Sequence, residues 1–204
     1  MYRPLLLPTY LLLALLLAAC AADAPADELD TDAVATAPAY SGNFAALAEE
    51  LDAGTVSAAE GARRLLAEFP GVSDAATGAL NVAVSQQFVR LSEALSARFP
   101  SDTAAALPLY KAAEVALALG EPARAAGLYD TIHRQYASFS KAPESLFMLA
   151  FTYDENLGDL ERARQHYELF LQQYPDHTFA DDSQMLIDNL GKSDEEILRG
   201  LEGN

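Results

Sequence analysis

The sequence predicts an all-α protein, built as a solenoid of stacked antiparallel helical hairpins. After residue 43, glycine, proline and β-branched residues are sparse and alanine is frequent, a composition that favours helices. Amphipathic runs that end in an aromatic residue recur at Phe69, Phe99, Tyr136 and Tyr174, and the last three aromatics stand 37 and 38 residues apart. A period in this range is typical of stacked hairpins, in which each hairpin buries the apolar face of its neighbour.

Residues 1–19 have the features of a secretory signal peptide: Arg3 gives a positive start, a leucine-rich stretch follows, and small residues close the segment. The end of this segment, Leu17-Ala18-Ala19-Cys20, resembles the bacterial lipoprotein signal. The resemblance implies cleavage after Ala19 and diacylation of the Cys20 sulfur, which would anchor the protein to a membrane. The alternatives are an uncleaved anchor helix and an ordinary signal peptide with an incidental cysteine.

The residues around Cys20 also predict a location and a flexible tether. In lipoproteins of the enterobacterial kind, aspartate directly after the modified cysteine retains the protein at the inner membrane. Ala21 stands there in this chain, so the resemblance implies the cell outer membrane, facing the periplasm, with surface export as an alternative. Residues 20–40 contain the lipidated cysteine and an acidic, proline-containing tether that cannot bury enough apolar surface to order itself. Residues 41–204 are predicted to form the helical repeat domain.

The chain is strongly acidic, with 13 basic and 30 acidic residues and a formal net charge of −17. This balance argues against a nucleic-acid partner, because binding to a phosphate backbone needs a basic surface. Lysine occurs only at Lys111, Lys141 and Lys192. Two interpretations remain open: an acidic binding surface, and a surface adapted for solubility in salty surroundings.

The first part of the domain predicts one clear hairpin. In "NFAALAEELDAGTVSAAEGARRLLAEFPG", Gly54 marks the turn and Ser57-x2-Glu60 forms a capping box at the start of the second helix. Residues 73–98 carry a helical pattern without a clear glycine break, which fits either a single long helix or a degenerate hairpin. Near the end of the chain, Ser193-x2-Glu196 predicts a short terminal helix that caps the stack.

Two copies of a hairpin are in register at residues 106–143 and 144–181. Gly120-Glu121 and Gly158-Asp159 stand 38 residues apart, and each pair separates two helical patterns. A small alanine allows close helix packing, and an aromatic four residues later fills the space beside it. The same offset relates Ala125 to Ala163 and Tyr129 to Tyr167.

These residues resemble the tetratricopeptide repeat, whose pattern is Trp-x2-Leu-Gly-x2-Tyr, then Ala-x3-Phe, then Pro. The stretch "ESLFMLAFTYDENLGDLERARQHYELFLQQYPD" follows the pattern with Phe147, Ala150-Phe151, Ala163-x3-Tyr167 and Pro175, while Asp154 replaces the Tyr. The matching positions of the other copy, at the offset of 38, are Leu109, Ala112-Ala113, Ala116 and Ala137. The period exceeds the usual length of about 34 residues, and the resemblance covers roughly residues 102 to 190.

The resemblance implies that the first helix of each hairpin lines a concave surface where a partner segment lies. The residues expected to line it are Tyr110, Glu114, Met148, Thr152 and Glu155. Their alternative interpretation is that of ordinary solvated or half-packed helix positions. Because this set contains no Lys, Arg or Asn, a clamp for a terminal carboxylate is disfavoured, and a basic or apolar partner fits better.

Chemical motifs are sparse. His133, His166 and His177 stand without a His-x3-His pair, a cysteine pair or a His-Glu-x2-His motif, so we expect no metal, no cofactor and no enzyme activity. The alternative for His177 is a weak cation site with Asp176, Asp181 and Asp182, although acids at a helix N-terminus explain the same residues through the helix dipole.

Together these features predict a lipid-anchored cell-envelope scaffold that binds envelope proteins or peptide segments and meets the membrane through acylated Cys20. The combination resembles periplasmic lipoproteins linked to barrel assembly and to Tol-associated scaffolds. The alternatives are a component of outer-membrane protein assembly or of division-linked envelope maintenance, a structural tether without a partner, and an enzyme. The enzyme would need a cleft in which His166 or His177 meets carboxylates.

Overall fold

The computed structural model describes residues 40–193 together with 195, 196 and 199. These residues form an all-α architecture, in which an isolated bridge between Ser73 and Leu80 is the one β feature. From α3 onward each helix packs against the next in chain order, as a solenoid of hairpins requires, so the predicted fold class is confirmed. The helices are α1 (Asn43–Ala53), α2 (Ala58–Glu68), α3 (Val82–Arg98), α4 (Ala106–Ala118), α5 (Pro122–Gln135), α6 (Ala142–Phe151), α7 (Leu160–Gln173) and α8 (Ala180–Asn189).

The predicted signal peptide, its cleavage site at Ala19, Cys20 and nearly all of the tether lie outside the described residues. Within the described part, no helix is long and apolar enough to cross a membrane. The first described residues contact α3: the Ser41 backbone N–H donates to Gln87 Oε1 at 2.6 Å, and Arg90 lies over the Tyr40 ring at 5.2 Å. The domain is therefore packed from its first described residue.

Three hairpin turns are closed by glycine. Gly54, Gly120 and Gly158 have φ angles of 69°, 75° and 64°, in the left-handed region that glycine adopts without a steric penalty. After Gly54 and Gly120, the next backbone N–H bonds the carbonyl five residues earlier, at 2.9 Å in both cases, which completes a Schellman motif. The predicted turns at these glycines are confirmed.

The recurring aromatics mark one connection that is used three times. At Phe99, Tyr136 and Tyr174 the backbone N–H bonds the carbonyl four residues earlier, and the residue's own carbonyl accepts from the N–H three residues later. The three φ angles are −129°, −122° and −133°. The Tyr136 hydroxyl also lies 2.8 Å from Ser96 Oγ and donates to the Phe99 carbonyl at 3.1 Å, which joins two successive connections.

A π turn accounts for the change of period from 37 to 38 residues. The interval from the aromatic to the next turn glycine is 21 residues in the first copy and 22 in the second, whereas the interval from glycine to the following aromatic is 16 in both. The extra residue therefore lies in the first helix of the second copy. There the chain forms a π turn at Thr152–Asn156, whose hydrogen bonds span one residue more than those of an α-helix.

This insertion corrects the predicted alignment of the first helices. The offset of 38, which matches Leu109 with Phe147, is wrong by one residue before the π turn and right after it. At an offset of 37, buried positions of the first copy meet buried positions of the second: Ala105 with Ala142, Leu109 with Leu146, Ala112 with Leu149 and Ala113 with Ala150. The predicted core pairs after the turn are confirmed, because Ala125, Ala163, Tyr129 and Tyr167 are all fully buried.

The helix predicted over residues 73–98 is shorter in the structure. One helix, α3, begins at Val82, where the Asn81 side chain accepts from the Val84 N–H, and residues 73–81 form a turn. Asp74 Oδ1 holds this turn by accepting from the N–H groups of Ala76 and Thr77 at 3.0 and 2.7 Å. Of the two alternatives, the single helix is therefore correct, but it lacks the first nine residues because local side-chain bonds compete with helix formation.

One of the two predicted capping boxes makes both of its hydrogen bonds, and the other makes one. Ser57 Oγ accepts from the Glu60 N–H at 3.2 Å, while the Glu60 carboxylate binds Arg63 in place of the Ser57 N–H. Ser193 and Glu196 make both reciprocal bonds, at 2.9 and 3.3 Å. The helix predicted to follow Ser193 lies mostly outside the described residues.

Candidate partner-binding surface

Tyr110 is the centre of the surface predicted on α4, and packing holds its ring in place. The side chain is only 8% exposed, and its ring meets those of Tyr129 and Phe139 edge-on, with centroids 5.8 and 6.4 Å apart. The Lys141 and Lys111 ammonium groups lie 5.3 and 6.0 Å from the ring centroid, within the range of cation–π attraction. Tyr110 is therefore a mostly buried ring, held in place by two aromatic side chains and with two ammonium groups nearby.

Each of these lysines is paired with a glutamate one helical turn further along the chain. Lys111 Nζ lies 2.8 Å from Glu114, and Lys141 Nζ lies 3.6 Å from Glu144. We call Tyr110, these two lysines and these two glutamates the Tyr110 cluster. Burial raises the pKa of the Tyr110 phenol, and the nearby carboxylates raise it further, so the hydroxyl keeps its proton at neutral pH.

Polar atoms without a hydrogen-bond partner lie close to this cluster. The fully buried Tyr129 has a hydroxyl that bonds no described residue, and the same is true of Glu144 Oε2. Burial is the main cause that raises the pKa of Tyr129, followed by the electrostatic effects of Tyr110 and Glu114. The first helix of each hairpin, α4 and α6, thus carries aromatic rings together with charges of both signs.

The structure separates the five residues predicted to line the partner surface. Tyr110 and Glu114 belong to the Tyr110 cluster, Met148 is half-buried against the main core, and Glu155 is exposed in the π turn. Thr152 is fully buried, and its hydroxyl donates to the Met148 carbonyl at 2.6 Å. The place on the partner surface expected for Thr152 is therefore wrong, and at the offset of 37 Thr152 matches Val115, which is also buried.

Sequence reasoning missed Lys111, Lys141 and Glu144. At the corrected offset of 37, the counterpart of Met148 on α4 is Lys111, the neighbour of the predicted Tyr110. Lys141 and Glu144 begin the next helix and come close to Tyr110 only because the connection after α5 folds back onto α4. Their proximity required the course of the chain between α5 and α6, which no local pattern reports.

The histidines are placed for packing. His166 stacks on Tyr153 with a centroid distance of 5.4 Å and an interplanar angle of 9°. His177 Nδ1 accepts from the Phe179 N–H at 3.2 Å, and its ring lies edge-on to Phe170. Neither His166 nor His177 makes a hydrogen bond to a carboxylate within the described ranges. Among those same residues, no group of three or more His, Cys, Asp and Glu side chains could hold a metal ion.

Two of the histidines, His133 on α5 and His166 on α7, lie at the junction of these helices, where desolvation and the charge of His133 both lower the pKa of His166. The Nδ1 atom of each ring is buried and bonds no described residue. Desolvation lowers the pKa of both imidazoles, and the carboxylate of Asp130 opposes this effect in part. The charges of Arg134 and Arg162 lower the pKa of His166 further, so this junction favours neutral histidines.

A family model of the tetratricopeptide repeat matches residues 144–177. The match spans most of α6, the π turn and α7, which is the copy whose residues resemble the repeat most closely. No curated protein and no solved structure matches the chain. Repeats of this type suggest an interaction scaffold for other proteins or peptides.

Proposed function

We propose that this chain is a lipid-anchored cell-envelope protein that holds partner proteins on the surface of its first helices, α4 and α6. The observation that carries the proposal is the tetratricopeptide match at residues 144–177 within a stack of hairpins. The Tyr110 cluster supports a binding role, because its charged groups are only partly buried and surround an aromatic ring that packing holds in place.

The partner we propose is a basic or apolar segment of an envelope protein. The two lysines of the Tyr110 cluster are each paired with a glutamate, so the cluster has no excess positive charge to attract an acidic segment. Exposed Glu155 and the net charge of −17 add negative potential. A positively charged partner would therefore be attracted over a long range and selected against acidic competitors.

Membrane attachment is proposed through acylation of Cys20 at the outer membrane, with the domain facing the periplasm. The support is the sequence around Cys20, where the single cysteine follows Leu17-Ala18-Ala19 and precedes Ala21. Metabolic labelling with a palmitate analogue tests this proposal. We expect label on the wild-type chain and none on Cys20→Ser, with loss of the variant from the outer-membrane fraction. Equal labelling of both chains would contradict the anchor.

Site-specific photo-crosslinking in cells tests the partner surface. A photoreactive residue placed at Glu114 or at Glu155 reports on the first helices, and one at exposed Glu168 on α7 is the matched control. We expect the same crosslinked protein from the first two positions and none from Glu168. Equal crosslinking at all three positions, or none at Glu114 and Glu155, would refute the proposed surface.

A further inference from the structure

A groove of about 470 Å³ lies between α3 and α5, away from the first-helix residues of the Tyr110 cluster. Its floor includes Leu109 and Leu128, which are both buried. Its walls include Ala97 on α3 and Gly127 on α5, which are both exposed. The groove thus has walls with very small side chains, an apolar floor and an opening to solvent.

Gly127 is not required by the packing of the domain. It lies inside α5 with a helical backbone, and a Cβ atom added there would meet no atom within 4 Å. Glycine in a helix interior costs about 1 kcal/mol relative to alanine. Stability alone would therefore favour a larger residue at this position, and the groove remains open although filling it would stabilise the helix.

The neighbouring junction, between α5 and α7, has the same arrangement of helices and an equivalent arginine–carboxylate pair. Arg124 pairs with Glu121 at 2.9 Å, and its equivalent in the next repeat, Arg162, pairs with Asp159 at 3.2 Å. Equivalence along α5 and α7 follows the offset of 38 set by Gly120 and Gly158. Equivalence between α3 and α5 follows the offset of 37 set by Phe99 and Tyr136.

In that neighbouring junction larger side chains stand at the equivalent positions. Arg134 replaces Ala97, Gln165 replaces Gly127, and His166 replaces Leu128. The His166 ring stacks on Tyr153 and closes this junction with the chain's own side chains. The α3–α5 groove therefore lacks the long polar side chains that stand at the equivalent positions one repeat later.

The charged end of the groove is lined by Glu93 and Arg124, and a second carboxylate, Glu121, binds the same arginine from beside the groove. Arg124 makes two bonds to Glu93, at 2.9 and 2.7 Å, and a third to Glu121 at 2.9 Å, so one cation is shared by two carboxylates. Arg124 is the only cation among the described residues that line the groove. The lining of α5 extends from Ala123 to Gln135, which corresponds to about 18 Å of helix.

We propose that this groove binds an amphipathic helix of a partner protein, about 12 residues long, with small apolar residues toward Leu109 and Leu128 and basic residues toward Glu93 and Glu121. Short side chains on the groove walls allow the partner helix to approach closely. The apolar floor supplies the buried contact, and the excess carboxylate at one end selects a basic flank. The site is separate from the proposed first-helix surface, so either one can fail without the other.

A peptide-binding experiment with the full-length chain tests the proposal. The probe is a fluorescent helical peptide of about 14 residues with an alanine and leucine stripe and lysines on the flank. A second peptide carries glutamates in place of the lysines. The groove-filling variants are Gly127→Gln and Ala97→Arg, which introduce the residues found at the equivalent positions of the next junction. The matched control is Gln165→Ala in that neighbouring junction.

We expect the lysine peptide to bind the wild type and Gln165→Ala equally, and each groove-filling variant at least about tenfold more weakly. We expect the glutamate peptide to bind the wild type at least about tenfold more weakly than the lysine peptide. Helix content and Tm of each variant report whether it is folded, and the two groove-filling variants act independently. Unchanged binding by a folded groove-filling variant, or equal binding of the two peptides, would overturn the proposal.

Sedimentation velocity distinguishes a second copy as the occupant. The proposal predicts that the wild type and Gly127→Gln have the same oligomeric state at every concentration. A wild-type dimer that Gly127→Gln abolishes would instead assign the groove to a second copy of this chain.

Discussion

In the part of the chain that the structure describes, two glycines lie in helix interiors, Gly61 and Gly127, and they should respond to the same substitution with opposite signs. A Cβ atom on Gly61 would lie 2.6 Å from Leu95 Cδ1, well inside van der Waals contact. Leu95 is 1% exposed, so its side chain has no solvent to move into. A Cβ atom on Gly127 would meet no atom within 4 Å. The added methyl group would overpack the site at Gly61, and it would not overpack the site at Gly127.

The magnitudes follow from two effects. Replacing glycine by alanine inside a helix gains about 1 kcal/mol at either site. Overpacking at Gly61 costs about 1–3 kcal/mol, because a close-packed core must shift to accept the methyl group. Gly127→Ala should therefore raise the free energy of unfolding by about 1 kcal/mol, and Gly61→Ala should lower it by about 1 kcal/mol. For a domain of this size, 1 kcal/mol corresponds to a change in Tm of about 2–4 °C.

Urea and thermal unfolding of the two single variants, followed by circular dichroism at 222 nm, measure this difference directly. The wild type is the reference for both variants, and equal m-values establish that the denatured state is unchanged. If Gly61→Ala and Gly127→Ala changed stability by the same amount and in the same direction, the close contact at Gly61 would relax without cost. That result would refute the argument from Leu95.

Three further predictions concern hydrogen bonds and charge. Tyr136→Phe should lower the free energy of unfolding by about 1–3 kcal/mol in urea titrations, because it leaves buried partners unsatisfied, whereas Tyr129→Phe, which removes a buried hydroxyl without a partner, should be neutral or stabilising. The lowered pKa values of His133 and His166 mean that the unfolded chain binds more protons below its histidine pKa of about 6.5. The stability that the neutral histidines contribute is thus complete above that pH and lost as the pH falls. The free energy of unfolding should therefore change less between about pH 8 and about pH 5.5 in a variant that carries both His133→Gln and His166→Gln than in the wild type. Arg124→Gln should cost about 1 kcal/mol at low salt, and a salt titration that leaves this difference constant would contradict an ionic origin.

The sequence predicted most of the stack because its turns and core pairs have local signatures. Gly54, Gly120 and Gly158 interrupt helical patterns where only a left-handed residue closes the turn. Ala125 and Tyr129 repeat one turn apart on the same helix face, which made their burial predictable. These features depend on residue type and spacing within a single hairpin, so one sequence was sufficient.

The features that were missed depend on what the chain does between hairpins. The π turn at Thr152–Asn156 absorbs one residue without any change in composition, so the alignment of α6 slipped and Thr152 was assigned to the surface. The turn at residues 73–81 has apolar spacing similar to a helix, but side-chain bonds from Asp74 hold it. The α3–α5 groove arises from short side chains such as Gly127, which give no positive pattern in a sequence.

The three connections at Phe99, Tyr136 and Tyr174 have the same hydrogen bonds and similar backbone angles, so the chain can be divided there into equivalent units. Because the backbone enters and leaves each connection with the same conformation and the same hydrogen bonds, segments cut at these points have interchangeable ends. A 38-residue cassette from residue 137 to residue 174 could be duplicated in frame without remodelling either joint. The length of this stack is therefore an adjustable parameter, and a longer chain would extend the array by one hairpin for each added cassette.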